Sequence, residues 1–492
     1  MTLERYRPLV GEWERFLAAH RSPEPVTLRV RSGRISRAAL TGRLGRAGFR
    51  AEPVAGLDAY LRLVPGAGPV AQTVEHWLGL FHVQQAVMAL PTLALGVSAG
   101  ERVLDLCAAP GGKTTHLAEL MGETGPLIAV EPKEKRIRGL LGNIYRLGYR
   151  NVIVVAGDGR TLPEGVSFDR VLVDAPCSGE GNYRRRAGRL PPRTAEFSRY
   201  VTRVQEALLR HAIRLTRPGG TIVYATCTYA PEENEAVVDR VLRDAPVTVG
   251  EIPLELPHSP GLTAWAGERF HADLAKTWRV YPHQMDSGGL YMARLLRRRA
   301  GDLRPAGRAA GWGPVPEAFP GVDAGEAGAR IRRARGELLD RFGFDPELVG
   351  RMAWTVRGKH IWSQSAGVWP VAGWSRLETR RARIVSVGMR AFRGGHGRHE
   401  TPSSQFLRAW AGEIGEARTV RLGRAELRRL LEGESLPPAS LPAGPVALVW
   451  EGQVLGRGMV GSRGLVHELG RADAERLLAI IGEAEGAPTG GG

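Results

Sequence analysis

The sequence predicts an α/β protein built on a Rossmann-like, doubly wound sheet, and three observations support this class. Short apolar strand patterns alternate with helical patterns between residues 101 and about 297. A loop with two glycines, at 107–113, joins the first of these strands to its helix. Carboxylate or thiol side chains follow the ends of later strands. This alternation is typical of parallel sheets, which bind ligands at the carboxyl ends of their strands.

The central elements follow from these patterns in chain order. The expected strands are 102–106, 127–130, 152–156, 170–173 and 221–224, with two more within 278–296. The expected helices between them are 114–121, 133–147, 194–215 and 232–242. Outside this region the patterns predict helices at 4–20, 36–49 and 329–342, and strands at 26–31, within 447–461 and at 465–467.

The charge of the chain favours a nucleic-acid partner. The formal net charge is +17, and arginine supplies almost all of the excess, since lysine occurs at only five positions. Arginine binds phosphate through paired hydrogen bonds and stacks on bases, so an arginine-rich surface indicates nucleic-acid binding. A GC-rich or thermophilic genome would explain the ratio of arginine to lysine, but it would not explain the surplus over acidic residues.

Length sets the expected domain organisation. The 492 residues exceed a single compact core. We predict a small N-terminal α+β domain of an RNA-binding type at 1–70 and a catalytic domain at 71–297. A Gly-, Pro-, Ala- and Arg-rich linker at 298–325 would lead to a C-terminal α+β RNA-binding extension at 326–480 and a disordered tail at 481–492.

The composition also excludes several classes of protein. No uninterrupted apolar run reaches the roughly 18 residues that a membrane helix requires, and the N-terminus lacks a secretory signal pattern. The three cysteines, Cys107, Cys177 and Cys227, are widely spaced, which argues against a disulfide framework and a metal site. We expect a cytoplasmic protein with no metal, no membrane association and no obligate protein partner.

A tryptophan-rich stretch near the C-terminus has two interpretations. Trp354, Trp362 and Trp369 are interleaved with basic side chains. Exposed aromatic rings among cations can stack nucleotide bases. Buried tryptophans would instead form the core of a small β domain, and the sequence leaves both possibilities open.

The loop after the first central strand is the candidate cofactor site. It consists of Cys107-Ala108-Ala109-Pro110-Gly111-Gly112-Lys113. Its glycines permit a close approach of the backbone to a ligand, and the following helix offers free N–H groups. A phosphate-binding P-loop would need glycine at 107, and the dinucleotide pattern of three spaced glycines is absent, which speaks against a nucleotide hydrolase.

Two carboxylates complete the candidate cofactor site. Glu131 ends the second strand, where a carboxylate can accept both ribose hydroxyls, and Asp158 follows the third strand, within reach of an adenine edge. A sugar-and-base site without a pyrophosphate clamp suits S-adenosylmethionine.

Three segments together resemble the RNA cytosine-C5 methyltransferases of the Sun type, most closely the bacterial RsmF-like enzymes that act on 16S rRNA. The segments are 107–113, 174–181 and 225–228, within a resemblance that covers about residues 70–297. Pro282-His283 and Gly288-Gly289 extend the resemblance. Leu290-Tyr291 departs from the two phenylalanines that are usual in the family.

The resemblance implies a covalent mechanism. Cys227 would be the nucleophile that adds to carbon 6 of cytosine, Asp174 would hold or protonate N3, and Cys177 would promote loss of the carbon-5 proton and release of the enzyme. The 107–113 loop, Glu131, Asp158 and Asp174 would contact S-adenosylmethionine, with Cys107 as a small packing residue of the loop.

The same resemblance implies a substrate, which is 16S rRNA near the decoding centre, as naked RNA or within the 30S subunit. A tRNA is one alternative substrate. A ribosome-assembly factor that binds RNA without catalysis is the alternative from another class. The run Arg184-Arg185-Arg186 would either contact substrate phosphate or form a solvated, charged surface.

Overall fold

The computed structural model describes residues 3–66, 68–186, 188–189, 194–298, 311–365, 367–370, 374, 382–394, 400–437 and 441–483. Residues 299–310 of the predicted linker (298–325) and 484–492 of the predicted tail (481–492) lie outside the described residues. The domain boundaries therefore stay predictions. No helix among the described residues combines the length and apolar character needed to cross a bilayer.

The elements are numbered here in chain order within the described residues. The strands are β1 (Thr27–Val30), β2 (Ala51–Val54), β3 (Leu57–Leu63), β4 (Phe81–Val83), β5 (Val103–Asp105), β6 (Leu127–Glu131), β7 (Val152–Gly157), β8 (Phe168–Asp174), β9 (Thr216–Thr226), β10 (Val247–Gly250), β11 (Ser259–Pro260), β12 (Ala264–Trp265), β13 (Glu268–Arg269), β14 (Trp278–Val280), β15 (Leu290–Arg297), β16 (Trp312–Pro314), β17 (Ala353–Arg357), β18 (His360–Gln364), β19 (Val368–Pro370), β20 (Ala382–Val387), β21 (Met389–Arg393), β22 (Thr401–Pro402), β23 (Thr419–Arg421), β24 (Gly444–Trp450), β25 (Gln453–Gly461) and β26 (Gly464–His467). The α-helices are α1 (Trp13–Arg21), α2 (Arg37–Arg46), α3 (Val74–Trp77), α4 (Leu90–Leu95), α5 (Gly112–Leu120), α6 (Glu134–Leu147), α7 (Ala195–Leu215), α8 (Glu235–Leu242), α9 (Pro282–Met285), α10 (Ala324–Gly336), α11 (Pro346–Arg351), α12 (Ser404–Ala409), α13 (Arg424–Leu431) and α14 (Arg471–Glu483).

The central sheet confirms the predicted Rossmann-like α/β class. Its five parallel strands lie in the order β9-β8-β5-β6-β7. The first parallel strand along the chain, β5, lies in the middle of this order. The chain continues through β6 and β7 on one side and then crosses to β8 and β9 on the other, so the topological switch point lies between β5 and β8. Antiparallel β15 pairs with β9, and β14 and β10 pair with β15. Open sheets of this kind bind ligands at the strand ends beside the switch point.

Helices cover both faces of this sheet, as a doubly wound fold requires. Alternate side chains of β6 enter different cores, with Ile128 in one and Ala129 in the other. Leu209 of α7 and Val237 of α8 pack on the first face, whereas Leu140 of α6 packs on the second. Strands that are buried on both faces read as continuous apolar runs, which is why the sequence revealed them.

The C-terminal part of the chain adds a strand that the sequence analysis did not predict. Strand β20 pairs antiparallel with β7, with Ala382 opposite Gly157 and Val387 opposite Ile153. The edge of a parallel sheet exposes unpaired backbone groups, and β20 satisfies those of β7. The C-terminal extension predicted at 326–480 therefore contributes a strand to the central sheet.

The N-terminal region forms a separate antiparallel sheet in the order β2-β3-β1-β4. The helix expected over 4–20 is broken into a 3₁₀ segment, Leu3–Leu9, and α1. Pro8 lies in the first segment and lacks a backbone N–H, so it cannot continue an α-helix there. The helix expected over 36–49 ends at Arg46, before Gly48, which has a φ of 82°.

Two more four-stranded sheets occupy the C-terminal region, in the orders β17-β18-β21-β22 and β23-β24-β25-β26. Trp354, Trp362 and Trp369 are all buried, with exposed fractions of 6%, 5% and 5%. Of the two interpretations of this stretch, the structure supports packing in a β core, because buried rings cannot stack on nucleotide bases.

Candidate active site

The two cysteines that the sequence analysis paired lie together at the carboxyl edge of the sheet. Asp174, the last residue of β8, is opposite Ala225 in the neighbouring parallel strand β9. Cys227 follows β9 directly, and Cys177 lies three residues beyond β8. Their Sγ atoms are 3.3 Å apart, and both thiols are free.

Backbone hydrogen bonds lock the two cysteine-bearing loops against each other. The amide of Gly181 donates to the carbonyl of Cys227 over 2.9 Å, and the amide of Gly289 donates to the carbonyl of Gly181, also over 2.9 Å. A Cβ atom on Gly181 would lie 2.4 Å from the Gly289 carbonyl oxygen. Only glycine permits this approach, so the glycines of the 174–181 segment position the first loop.

The surroundings of the two sulfurs differ in how far they favour the negatively charged thiolate. Cys227 Sγ accepts a hydrogen bond from Asn182 Nδ2 over 3.2 Å. The hydrogen bond with Cys177 is the largest cause that lowers the pKa of Cys227, and Lys113 and Asn182 act in the same direction against burial and Asp174. The same contact, followed by burial, raises the pKa of Cys177 well above its ordinary value. The pair therefore favours ionisation of Cys227 over ionisation of Cys177.

Lys113 forms an ion pair at this edge of the sheet. Its Nζ donates to Asp174 Oδ2 over 2.7 Å and lies 3.3 Å from Met88 Sδ. Burial opposes the charged form of Lys113, but the ion pair with Asp174 outweighs burial and raises its pKa. The ammonium group therefore stays charged beside the cysteine pair, whereas its predicted contact with the cofactor stays a prediction.

The predicted cofactor carboxylates lie in a row along the same sheet edge. Glu131, at the end of β6, is fully buried, and its Oε1 accepts from the amide of Lys133 over 3.0 Å. Its Oε2 pairs with Arg136 Nη1 at 2.8 Å but accepts no hydrogen bond from the described residues. A buried carboxylate oxygen with unused acceptor capacity fits a ligand that brings hydroxyl donors, such as the ribose of S-adenosylmethionine.

Asp158 occupies the next position along this edge, one residue after β7. Arg160 binds its carboxylate through Nε, at 3.0 Å from each oxygen. These hydrogen bonds are the main cause that lowers the pKa of Asp158, so the group is ionised at neutral pH.

The 107–113 loop is shaped by side chains of α5 and α6. Asn143 Nδ2 donates to the carbonyl of Pro110 over 2.9 Å, and Thr114 Oγ1 donates to Asp105 Oδ2 over 2.8 Å. Gly111, with a φ of 104°, precedes α5 in a conformation that favours glycine. Burial raises the pKa of Cys107 well above its ordinary value, so this thiol stays neutral within the loop.

Asp105 is a site residue that the sequence analysis missed. It is fully buried at the end of β5, and burial raises its pKa to about 7. The available signal was an aspartate at the end of the strand that leads into the glycine loop.

The analysis also missed a buried chain of hydrogen bonds that ties the N-terminal segment to both cysteine loops. Tyr6 OH donates to Glu180 Oε2, and Thr228 Oγ1 donates to the same oxygen over 2.9 Å. The hydroxyls of Ser178 and Thr228 are 2.7 Å apart. One residue next to each cysteine therefore belongs to a network that ends on Tyr6. No local sequence pattern reveals it, because Tyr6 and Glu180 are 174 positions apart.

The arginine run at 184–186 does not form a single surface. Arg184 is buried, and its Nη2 donates to the carbonyl of Pro23 over 2.6 Å and to Asp286 Oδ1 over 2.9 Å. Neither interpretation of the run holds for Arg184, because it ties chain segments together. Arg185 and Arg186 are exposed, and their predicted contact with phosphate stays a prediction.

The switch-point edge, the buried carboxylate of Glu131 and the glycine loop are the features of the Rossmann-like methyltransferase fold class. Comparison with known proteins gives the particular family. Residues 92–296 match the family described as 16S rRNA methyltransferase RsmB/F. The chain is also 33% identical over 460 residues to Ribosomal RNA small subunit methyltransferase F of Klebsiella pneumoniae, which covers 91% of this chain and 90% of that protein. The chain belongs to this RsmB/F family.

Other relatives match a smaller share of the chain. A 28S rRNA (cytosine-C(5))-methyltransferase of Mus musculus is 35% identical over 298 residues. This match covers 58% of the present chain and only 37% of the mouse protein, so the chain spans little more than a third of that relative. The crystal structure of a methyltransferase homolog from Pyrococcus horikoshii superposes with a TM-score of 0.54 at 32% identity, covering 60% of this chain and 93% of the other.

Proposed function

We propose that this chain methylates carbon 5 of a cytosine in 16S rRNA near the decoding centre, through a covalent adduct on Cys227. The observation that carries the proposal is the 3.3 Å contact between the sulfurs of Cys177 and Cys227. Carbon 5 of cytosine is a weak nucleophile, and addition of a thiolate at carbon 6 converts the ring into a reactive enamine. A thiolate and a thiol in contact are the two groups that addition and subsequent release require.

The cofactor is assigned to the carboxyl edge of β5, β6 and β7. The 107–113 loop, Glu131, Asp158 and Asp174 would hold S-adenosylmethionine, with the free acceptor capacity of Glu131 taking the ribose hydroxyls. When bound, S-adenosylmethionine supplies an electrophilic methyl group.

The residues of the chain then carry out the proton and electron movements. The thiolate of Cys227 forms a bond from Sγ to carbon 6, and the ring electrons move towards N3. Asp174 holds or protonates N3, with the Lys113 ammonium 2.7 Å from its carboxylate as the adjacent acid. After methylation, Cys177 takes the carbon-5 proton, and the bond from Cys227 to carbon 6 breaks with its electron pair returning to sulfur. A proton that was given to N3 returns to Asp174.

The electrostatics of the pair explain how Cys177 becomes a base at the right moment. The hydrogen bond with Cys227 is the main cause of its raised pKa. When Cys227 bonds to cytosine, its negative charge disappears, and the pKa of Cys177 falls towards that of an ordinary thiol. Cys177 is therefore a thiol while the nucleophile is free. Once the adduct has formed, Cys177 can lose its proton to solvent and act as the base.

The relatives support a ribosomal substrate. The Klebsiella protein, which is similar over almost the whole chain, is named as a methyltransferase of the small ribosomal subunit. We assign RNA binding to the predicted N-terminal domain (1–70) and C-terminal extension (326–480), and activity to the cytoplasm without an obligate protein partner. A tRNA substrate and a non-catalytic assembly factor remain the alternatives.

A pair of cysteine variants tests this proposal. Cys227→Ala removes the nucleophile, so methyl transfer from labelled S-adenosylmethionine to RNA should fall by at least ~10³-fold. Cys177→Ala removes the group that releases the enzyme, so a covalent protein–RNA adduct should accumulate on a denaturing gel. Cys107→Ala serves as the matched control, since it removes a thiol from the same region and should accumulate no adduct.

The outcomes separate the alternatives. Full activity of Cys227→Ala would show that the roles are assigned wrongly. Bisulfite sequencing of RNA from a deletion strain identifies the substrate, because loss of 5-methylcytosine from tRNA but not from 16S rRNA would favour the tRNA alternative. An unaltered pattern in all RNA, together with inactive wild-type protein, would favour the assembly factor.

A further inference from the structure

The first turns of α7 project beyond the core of the protein. The first buried residue of this helix is Val201, and residues 195–200 are exposed apart from the half-buried Ser198. Thr194 begins the helix, and its Oγ1 accepts from the amide of Phe197 over 3.0 Å. The projecting end is therefore a capped, regular helix that presents its side chains to solvent.

Two aromatic side chains stand on this projection. Phe197 is 38% exposed and Tyr200 is 58% exposed. They are three residues apart, so they are neighbours on one helix surface. The other large apolar side chains that are exposed in the described part of the chain, Val26, Leu120 and Val466, are aliphatic and lie on separate elements. A pair of adjacent exposed rings indicates an interaction surface, whereas single exposed apolar residues need no explanation.

The projection lies beside the candidate active site. Gln205, on the buried side of the same helix, donates from Nε2 to the carbonyl of Pro176 over 2.9 Å, next to Cys177. At 1.5 Å per residue, Tyr200 is about 7.5 Å along the helix axis from Gln205. The hydrogen bond to Asp158 is the main cause that raises the pKa of Arg160, and Tyr200 contributes to the same rise. Tyr200 therefore lies near Arg160.

Arginine side chains outnumber the one exposed acidic side chain of this helix end, Glu196, around the two rings. Arg199 and Arg203 are exposed on the same part of α7, and Arg203 Nε donates to the carbonyl of Arg199 over 3.1 Å, which lays its side chain along the helix. Arg160 is exposed on the loop after β7. Rings interleaved with arginines are the arrangement that binds single-stranded nucleic acid, in which the rings stack on bases and the guanidinium groups bind phosphates.

We propose that Phe197, Tyr200 and Arg203, here named the α7 ledge, bind unpaired RNA nucleotides that flank the target cytosine. Phe197 and Tyr200 stack on bases, and Arg203 binds a phosphate. This inference rests on the proposed function, since it assigns part of the surface that receives the same RNA. Stacking requires bases that are free of a partner strand, so the ledge selects single-stranded over duplex RNA.

Substitutions on the ledge test the proposal by RNA binding alone. The probe is a short unstructured oligoribonucleotide with one cytosine, and its dissociation constant is measured by fluorescence anisotropy at fixed salt. Tyr200→Ala and Phe197→Ala should each weaken binding about 10-fold. Tyr200→Phe keeps the ring and should bind within about 2-fold of wild type. Arg203→Ala should lower the slope of affinity against salt by about one. Leu120→Ala changes an exposed apolar residue at the end of α5, outside the segments assigned to RNA binding, so it is the matched control and should bind as wild type does.

Several results would overturn the inference. Wild-type affinity of the Phe197→Ala, Tyr200→Ala double variant would show that the ledge binds no RNA. Failure of Tyr200→Phe to restore affinity would show that the hydroxyl matters instead of the ring. Equal losses for duplex and single-stranded probes would exclude stacking, and a parallel loss of S-adenosylmethionine affinity would place the effect in the cofactor site.

The binding assay also separates this inference from the proposed function. It is repeated in the Cys227→Ala background, where methyl transfer is absent but the ledge is intact. Normal RNA binding by an inactive wild-type protein would refute the proposed reaction and leave the ledge standing. Active protein with ledge variants of unchanged RNA affinity would refute only the ledge.

Discussion

The loops that follow β8 and β9 carry the same reactive side chain but give it different neighbours. Cys227 follows its strand directly and receives hydrogen bonds from Asn182 and Cys177. Cys177 lies three residues beyond its strand, and its own pKa is raised by the contact with Cys227. The hydrogen bonds from Cys177 and Asn182 thus favour the thiolate of Cys227, whereas the contact with Cys227 and burial favour the neutral thiol of Cys177.

This asymmetry depends on the state of the pair and is not a fixed property of either cysteine. A shared proton belongs to two interacting sulfurs, so a change at one sulfur moves the pKa of the other. Three changes should therefore remove or reduce the difference between the two cysteines. They are a disulfide bond between the sulfurs, the loss of a hydrogen-bond donor to Cys227, and the loss of a hydrogen bond that holds the two loops together.

Joining the sulfurs should have the largest effect. A disulfide needs the 3.3 Å separation to shorten to about 2.05 Å. Diamide, a diazene that accepts two electrons and two protons, should oxidise Cys177 and Cys227 to a disulfide and abolish methyl transfer, because no thiolate remains. Dithiothreitol should restore full activity. Mass spectrometry of peptides from the oxidised protein checks the bond.

The single variants Cys177→Ala and Cys227→Ala are the controls, since neither can form this bond. A disulfide from Cys107 to either cysteine would contradict the placement of Cys107 in the cofactor loop. Oxidation that leaves the activity unchanged would contradict the thiolate role of Cys227.

Removing a donor should shift the pH dependence of the reaction. The pKa of Cys227 lies below its ordinary value, so the thiolate is populated above that pKa and is lost as the pH falls through it. Asn182→Ala deletes one hydrogen bond to the charged sulfur and should raise the pKa of Cys227 by about one unit. The acid limb of the pH profile of kcat/KM should move up by the same amount, with a loss of about 10-fold below the limb.

The high-pH end of this profile is the internal control. Above the shifted pKa, Asn182→Ala should regain most of its activity, since the thiolate then forms without the amide. An equal loss of kcat/KM at every pH would mean that Asn182 only shapes the loop. An acid limb at the wild-type pH would show that Asn182 does not lower the pKa of Cys227.

The sequence predicted the parts of the site that depend on chain order. β8 and β9 read as apolar runs, and Cys177 and Cys227 follow them, so parallel pairing alone brings the sulfurs to one edge. Glu131 and Asp158 were found in the same way, at the ends of β6 and β7. Local periodicity was sufficient because these positions need only the strand assignment and the sheet order.

The rest of the site depends on contacts that no local pattern contains. The ion pair of Lys113 with Asp174, at the end of the neighbouring strand, depends on the path of a flexible side chain. The pairing of β20 with β7 joins segments more than 200 positions apart, and its sequence shows only an ordinary short strand. The spacing of Trp362 among basic residues left an RNA-binding surface open, but packing in three dimensions buries this ring. The exposed rings of the α7 ledge are better placed to stack on bases.

Loosening the frame of the two loops should have the smallest effect. Tyr6 OH and Thr228 Oγ1 both donate to Glu180 Oε2, within a network that includes Ser178 and therefore one neighbour of each cysteine. Tyr6→Phe deletes one buried hydrogen bond, worth about 1 kcal/mol, without creating a large cavity. If that energy keeps the loops in register, kcat should fall about 5-fold, while the KM values for RNA and S-adenosylmethionine stay unchanged.

Tyr149→Phe is the matched control for this change. Tyr149 OH donates to Glu119 Oε2 over 2.9 Å, so the variant also loses a hydroxyl from a glutamate, but on the segment after α6 and away from the cysteine loops. Both variants should lower the melting temperature by similar amounts, and only Tyr6→Phe should lower kcat. Equal kcat values would reduce Tyr6 to a stabilising residue. A selective fall would show that the N-terminal segment, although remote in sequence, sets the geometry of the two sulfurs.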